Sequence, residues 1–260
     1  MKLGAQFYSI RTETQTVEGL EKSFAKIKDI GYENVQLSAI GPISAEDILR
    51  IKDKYELPIV CTHSPYDRIV NDTDALIREH KLYGADTIGL GSLPWNLKDD
   101  FGAMCDSARA LVEPAKRIRD AGLRFAYHNH SYEFEKHGDT DIWSVLREEL
   151  PEMDYILDVF WVKFAGLDPV EMIRELGRER LVNIHFKDMK EAPLQWGGDM
   201  AVGAKLICPC GEGIIDFRSI IKVCDELSIP NALVEQDNAP ELGDVFEQMR
   251  TSYNNLKPLF

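Results

Sequence analysis

Residues 169–188, PVEMIRELGRERLVNIHFKD, hold one full phrase of the chain: a helix-like segment leading into a short apolar run. Leu181, Val182 and Ile184 suit a packed interior, yet His185, Lys187 and Asp188 follow within four positions. A buried strand that ends in titratable groups is either a satisfied polar cluster or the edge of an active site. The rest of the chain decides between them.

The same phrase recurs. In segment 17–30, Val17, Leu20, Phe24 and Ile27 fall at helical spacing, Gly31 acts as a stop, and ENVQL reads as a strand. AEDILRIKDKYELP leads to IVCTH, DALIREHKLYG to ADTIGLG, and SARALVEPAKRIRDAG to LRFAYHNH. DIWSVLREELP leads to MDYILDVFW, and FRSIIKVCDELSIP to NALVEQD. With the opening KLGAQFYSI there are eight strands, and a last helix near 241–256 closes the series. Strands alternating with helices imply parallel pairing through crossovers, and eight units in this length predict a (β/α)8 TIM barrel of class α/β. No GxGxxG follows the first strand, which removes the main signature of a dinucleotide-binding sheet. No linker or low-complexity stretch interrupts the pattern, so residues 1–260 are expected to form a single barrel domain.

Composition narrows the function. A chain with 44% hydrophobic and 28% charged residues is ordinary for a globular protein. Its net charge of −14 argues against nucleic acid, because phosphate backbones need a basic surface. No apolar run has the length of a membrane span, and MKLGAQFYSI lacks a signal peptide's apolar centre, so a cytoplasmic protein is expected. Five scattered cysteines are not a disulfide framework, and Cys208–Pro–Cys210 has no second pair to complete a zinc site.

In such a barrel, chemistry sits where the strands end. Of six histidines, His63, His128, His130 and His185 close predicted strands, whereas His80 lies on a helix and His137 in a loop. Asp158 ends the sixth strand, Glu235 and Asp237 end the eighth, and Glu133 follows the fifth. Gln6 and Gln36 occupy matching places on the first two. A lone acid at a strand end is more often a helix cap, and a lone strand histidine is usually a hydrogen-bonded core residue. Several carboxylates and imidazoles converging on one low-dielectric mouth are different, because bare they repel and resist ionisation. One divalent ion removes that cost, and mixed His/Asp/Glu donors suit Mn²⁺, Zn²⁺, Co²⁺ or Mg²⁺. Lys187 shares the parity of His185 and could reach the pocket. Asp188 could fix the His185 tautomer, or Lys187 and Asp188 could form a plain surface pair.

AYHNHSYEF, LDVFWVKFAGLDPV, NIHFKD, CGEGIIDF and LVEQD together resemble the xylose isomerase-like barrel superfamily, in particular its sugar phosphate isomerase/epimerase branch. The resemblance runs from QFYSIR to the eighth strand. It implies one divalent ion held by an acid from the fifth strand, Asp158, His185 and Glu235. The fifth strand departs from the pattern: it reads YHNH, which puts His128 in the ligand position unless Glu133 swings back to supply the carboxylate. Trp161 replaces a histidine and could stack on a sugar or merely pack. GEGIID is too short for an anion loop; Gly211, Gly213 and Asp216 read as a turn with Asp216 capping the next helix.

The implied activity is isomerisation or epimerisation of a keto sugar or polyol by proton abstraction alpha to its carbonyl. Glu235 is expected as one acid/base, His128 or Glu133 as the other, and Lys187 as electrostatic help. Gln6, Gln36, His63 and His130 are expected to bind substrate hydroxyls. Two alternatives stay open: a dehydratase or lyase acting on an inosose or 3-keto-glycoside, and a silent barrel that binds a sugar or a partner subunit. A homo-oligomer is left open as well.

Overall fold

The computed structural model describes all 260 residues. Eight strands form one parallel sheet: β1 Lys2–Gln6, β2 Val35–Ser38, β3 Ile59–His63, β4 Thr87–Leu90, β5 Arg124–His128, β6 Asp154–Asp158, β7 Leu181–Phe186 and β8 Asn231–Val234. Each expected strand is present. Neighbours run β3-β2-β1-β8-β7-β6-β5-β4. The remaining gap, between β3 and β4, is bridged at Ser64 and Leu90, where the Ser64 N–H donates to the Gly89 carbonyl at 2.8 Å. The result is an α/β TIM barrel, nearly closed.

Helices follow the expected phrase. Val17–Ile30 starts on a Thr16 cap and stops at Gly31, whose φ of +116° favours glycine. The segment 107–122 lies in two helices, Phe101–Arg109 and Val112–Asp120, rather than one. Pro114 explains the break: a proline ring clashes with the carbonyl four residues back, here Ala110, which caps the first helix. Two expected strands are shorter than read. KLGAQFYSI turns into a 3-10 helix at Phe7, and MDYILDVFW stops at Asp158, where helix Val159–Phe164 begins. After β7 the chain makes a two-residue strand, Asp188–Met189, antiparallel to Ile207–Cys208. Gly203 lies just before that return, packed tightly against Phe164 and Trp161.

Two layers of core set the site. Sixty-five buried residues fill the space between sheet and helices, and a smaller group, Cys61, Ala126, Ile156, Val182 and Leu233, fills the barrel. Because strand side chains alternate, residues two positions further on face the same way. Cys61, Ala126, Ile156 and Leu233 thus precede His63, His128, Asp158 and Glu235. The apolar layer becomes the floor of the polar mouth. All five cysteines are free and buried, and no helix is long and apolar enough to cross a membrane.

The seam between β3 and β4 depends on Gly89, where an added Cβ would lie 2.2 Å from the Thr62 carbonyl oxygen and 2.9 Å from Ile156. Backbone cannot yield as a flexible side chain can. Gly89→Ala should therefore destabilise the protein by about 1–3 kcal/mol, read as a lower urea midpoint with an unchanged m-value.

Candidate metal centre

His128, Asp158, His185 and Glu235 each offer one donor atom, all within 4.8 Å of one another, and all four residues are buried. They come from the ends of β5, β6 and β7 and from the residue after β8. Metal–donor distances of about 2.1 Å place neighbouring donors roughly 3.0–3.4 Å apart. Here His185 Nδ1 lies 2.8 Å from Glu235 Oε2, and His128 Nε2 lies 3.3 Å from Asp158 Oδ2 and 3.8 Å from Glu235 Oε2. The set has the span of one coordination sphere.

The supporting contacts orient these donors. Asp158 is both a cap and a site residue: Oδ1 accepts the Trp161 N–H at 3.0 Å while Oδ2 faces the cluster. Its backbone N–H donates to Asn129 Oδ1 at 2.9 Å. His128 Nδ1 lies 3.1 Å from the Gly91 carbonyl, which can only accept, so Nδ1 carries the ring proton. Burial lowers the His128 pKa to about 4, outweighing the Asp158 contact, so the imidazole is neutral near pH 7. Its Nε2 then presents a bare lone pair to a carboxylate oxygen. That is an unfavourable meeting of two acceptors unless a cation lies between them, and a ring whose other nitrogen donates to a carbonyl is the usual posture of a metal-bound histidine. His185 is held similarly, with Nε2 against Gln36 Oε1 at 2.7 Å.

Lys187 completes the cluster. Its Nζ, on a residue only 1% exposed, lies 3.1 Å from Asp158 Oδ2, 3.2 Å from Glu235 Oε2 and 3.0 Å from Asp237 Oδ1. Burial alone would lower its pKa, but the three carboxylates hold it well above the ordinary value. Burial likewise favours neutral acids, yet the Lys187 ammonium keeps Asp158 down at about 2. Glu235 is also well below its usual range, with Lys187 and His185 overriding burial. Burial raises Asp237. Asp158 and Glu235, both held ionised, leave at least one negative charge uncompensated by the single ammonium. A divalent cation balances that remainder, so the residues present fit the group that the donor set implies.

Above the cluster opens a cavity of about 400 Å³, walled in part by His63, His128, His130, Lys187, Glu235 and Asp237. His63 Nε2 has no partner, and burial, then the neighbouring imidazoles, lowers its pKa well below the usual value.

Several expected residues stand elsewhere. Glu133 is not with the four donors: its carboxylate accepts the Tyr127 hydroxyl at 2.6 Å and the His130 N–H at 2.8 Å. Tyr127 alternates with His128 on β5 and so points away from the axis, taking Glu133 with it. His128 occupies the fifth-strand place instead. Gln6 and Gln36 do not wall the cavity; Gln6 donates to Glu235 Oε1 at 2.9 Å, its own oxygen accepts from Tyr8, and Gln36 steadies His185. Trp161 is buried on the helix after β6, outside the cavity wall, with the Lys187 ammonium 5.5 Å from its ring centre. Asp188 makes no hydrogen bond with His185. Its carboxylate collects the N–H groups of Met189, Gly211, Gly213 and Ile215, pinning the turn that precedes the Asp216-capped helix. The sequence reading gave no role to Asp237, Asn129 or Trp95. Asp237 was placed at the end of the eighth strand without a role, Asn129 stood between two candidate histidines where position could have marked it, and nothing marked Trp95.

A sequence family described as Xylose isomerase-like TIM barrel matches residues 24–250. No curated protein matches the chain. Solved structures that share the fold include a sugar phosphate isomerase/epimerase from Parabacteroides distasonis, 19% identical with TM-score 0.72, covering 99% of this chain and 98% of that one. The probable 3-DHS dehydratase AsbF from Bacillus anthracis is 14% identical with TM-score 0.71, covering 99% of each chain. A structure described as L-ribulose 3-epimerase is 13% identical with TM-score 0.70, covering 99% of this chain and 94% of that one.

Because Lys187 neutralises the carboxylates that a cation would bind, the two compete. Lys187→Met should cost the metal-free protein about 3–5 kcal/mol, seen as a lower calorimetric Tm in chelator. Mn²⁺ should then raise the Tm of the variant more than that of the wild type. Equal shifts would show that the ammonium and the cation do not share these carboxylates.

Proposed function

The chain belongs to the Xylose isomerase-like TIM barrel family, and from that premise we propose a divalent-metal-dependent isomerase or epimerase that moves a proton alpha to the carbonyl of a keto sugar or related polyol. The observation that carries the reading is the pairing at the cavity floor: an ionised, positioned carboxylate, Glu235, beside a buried ammonium, Lys187. The ion, held by His128, Asp158, His185 and Glu235, would supply Lewis acidity to the substrate's carbonyl and adjacent hydroxyl.

The side chains divide the remaining work. Gln6 fixes the Glu235 carboxylate through Oε1, leaving Oε2 to face Lys187 and the ligand cluster. A carboxylate held so far below its usual pKa is a weak base while Lys187 pairs with it. Negative charge developing on the substrate oxygen draws the ammonium away, and the basicity of Glu235 rises as the proton is taken. A second proton transfer would use His63, whose Nε2 faces no protein partner, or Asp237, whose carboxyl is pushed toward its acid form.

Elimination is the second reading. His128 stands where a second carboxylate would complete a symmetric pair of bases, and Glu133 is turned away. One carboxylate base with dissimilar partners suits removal of an alpha proton followed by loss of a beta hydroxyl or alkoxide. Incubating Mn²⁺-loaded protein with keto sugars in D₂O tests both. Isomerase or epimerase action puts deuterium at the alpha carbon of a recovered sugar, whereas elimination yields an absorbing unsaturated ketone. Glu235→Gln should slow either outcome by about 10²–10⁴-fold. No exchange and no elimination with any ketose or inosose would overturn the proposal.

A further inference from the structure

Two cavities open on the face where the strands end. Besides the catalytic one of about 400 Å³, a second of about 410 Å³ lies between the loops after β4, β5 and β7. Each falls in the size range of small-ligand sites. Trp95 walls both, and it is 46% exposed. The two cavities are also joined by a run of aromatic rings. His130, in the catalytic wall, lies nearly parallel to Tyr132 in the second, with ring centres 5.8 Å apart. Tyr132 meets Trp95 edge-on at 5.5 Å.

Charge restricts what could lie along this run. The second cavity has one basic residue, Lys98, whose ammonium lies 2.6 Å from Asp99, and its other ionisable walls are Glu135 and Asp199. The only Lys or Arg of the catalytic cavity is Lys187, already shared among three carboxylates. Neither wall contains an arginine. A phosphate would find no arginine, one solvent-exposed ammonium already beside Asp99, and several carboxylates. An uncharged ring can instead lay its C–H face on the exposed indole and turn its hydroxyls to the acidic rim.

We propose that the second cavity is a subsite for an uncharged sugar ring, so that the substrate is a glycosylated, non-phosphorylated keto sugar. The proposal rests on the keto-sugar reading above. In this arrangement the ketose occupies the catalytic cavity and its glycosyl group passes over Trp95.

Calorimetric titration of the Mn²⁺-loaded protein tests it with D-fructose, D-fructose 6-phosphate and the glucosyl-fructoses turanose, maltulose, leucrose and isomaltulose, which carry glucose on different hydroxyls. At least one disaccharide should bind about ten-fold more tightly than fructose, and Trp95→Ala should bring that ratio close to one. Fructose binding without a gain from any glucosyl group, or a gain that survives Trp95→Ala, overturns the subsite while leaving the keto-sugar reading intact. Tighter binding of the phosphate ester than of fructose overturns the uncharged class. If no ketose binds, the keto-sugar reading falls and the subsite falls with it.

Discussion

A lysine ammonium sealed among Asp158, Glu235 and Asp237 sets the terms for everything around it. In a dry barrel mouth each of these charges would be costly alone, and removing any partner leaves the others exposed to that cost. The cluster holds because each donor is also fixed from behind. The Gly91 carbonyl turns His128, Gln36 steadies His185, and Gln6 holds Glu235. Even so, the ammonium does not balance three carboxylates, and the neutral His128 imidazole turns a lone pair toward one of them. The mouth is built for a further positive charge.

The fold delivers this arrangement through the strand repeat. An apolar layer fills the barrel, and one step along four of the same strands the inward residues become His63, His128, Asp158 and Glu235. Rigid strand ends thus set the donors, while the loops form the walls. Asp188 shows how a loop is held in place: four backbone N–H groups converge on one carboxylate, and Gly213 lies so near that an added Cβ would fall 2.4 Å from Asp188 Oδ1.

Much of this was legible in the sequence. The strand and helix rhythm identified all eight strands because apolar periodicity and glycine stops are local signals. Asp158, His185 and Glu235 stood out because inward parity follows from counting along a strand. Other features depend on tertiary contacts that no local pattern records. Glu133 looked free to join the site, but the outward-facing Tyr127 hydroxyl claims it. Gln6 and Gln36 looked like substrate ligands, yet they face other side chains. Trp161 moved off the strand because Asp158 caps a helix with one carboxylate oxygen while the other faces the donor cluster, two roles the chain alone could not separate. Trp95 lies in a loop whose neighbours come from three different crossovers, so its place between two cavities was not readable.

A single divalent ion bound by two imidazoles and two carboxylates, with His128 at the fifth-strand position, is what the proposed reaction requires of the barrel mouth. Electron spin-echo spectroscopy of the Mn²⁺-loaded protein counts directly coupled histidine nitrogens. Two couplings, falling to one in His128→Gln, are the expected result. A single coupling unaffected by that substitution would show that His128 is not a ligand, and none at all would show that the ion binds elsewhere.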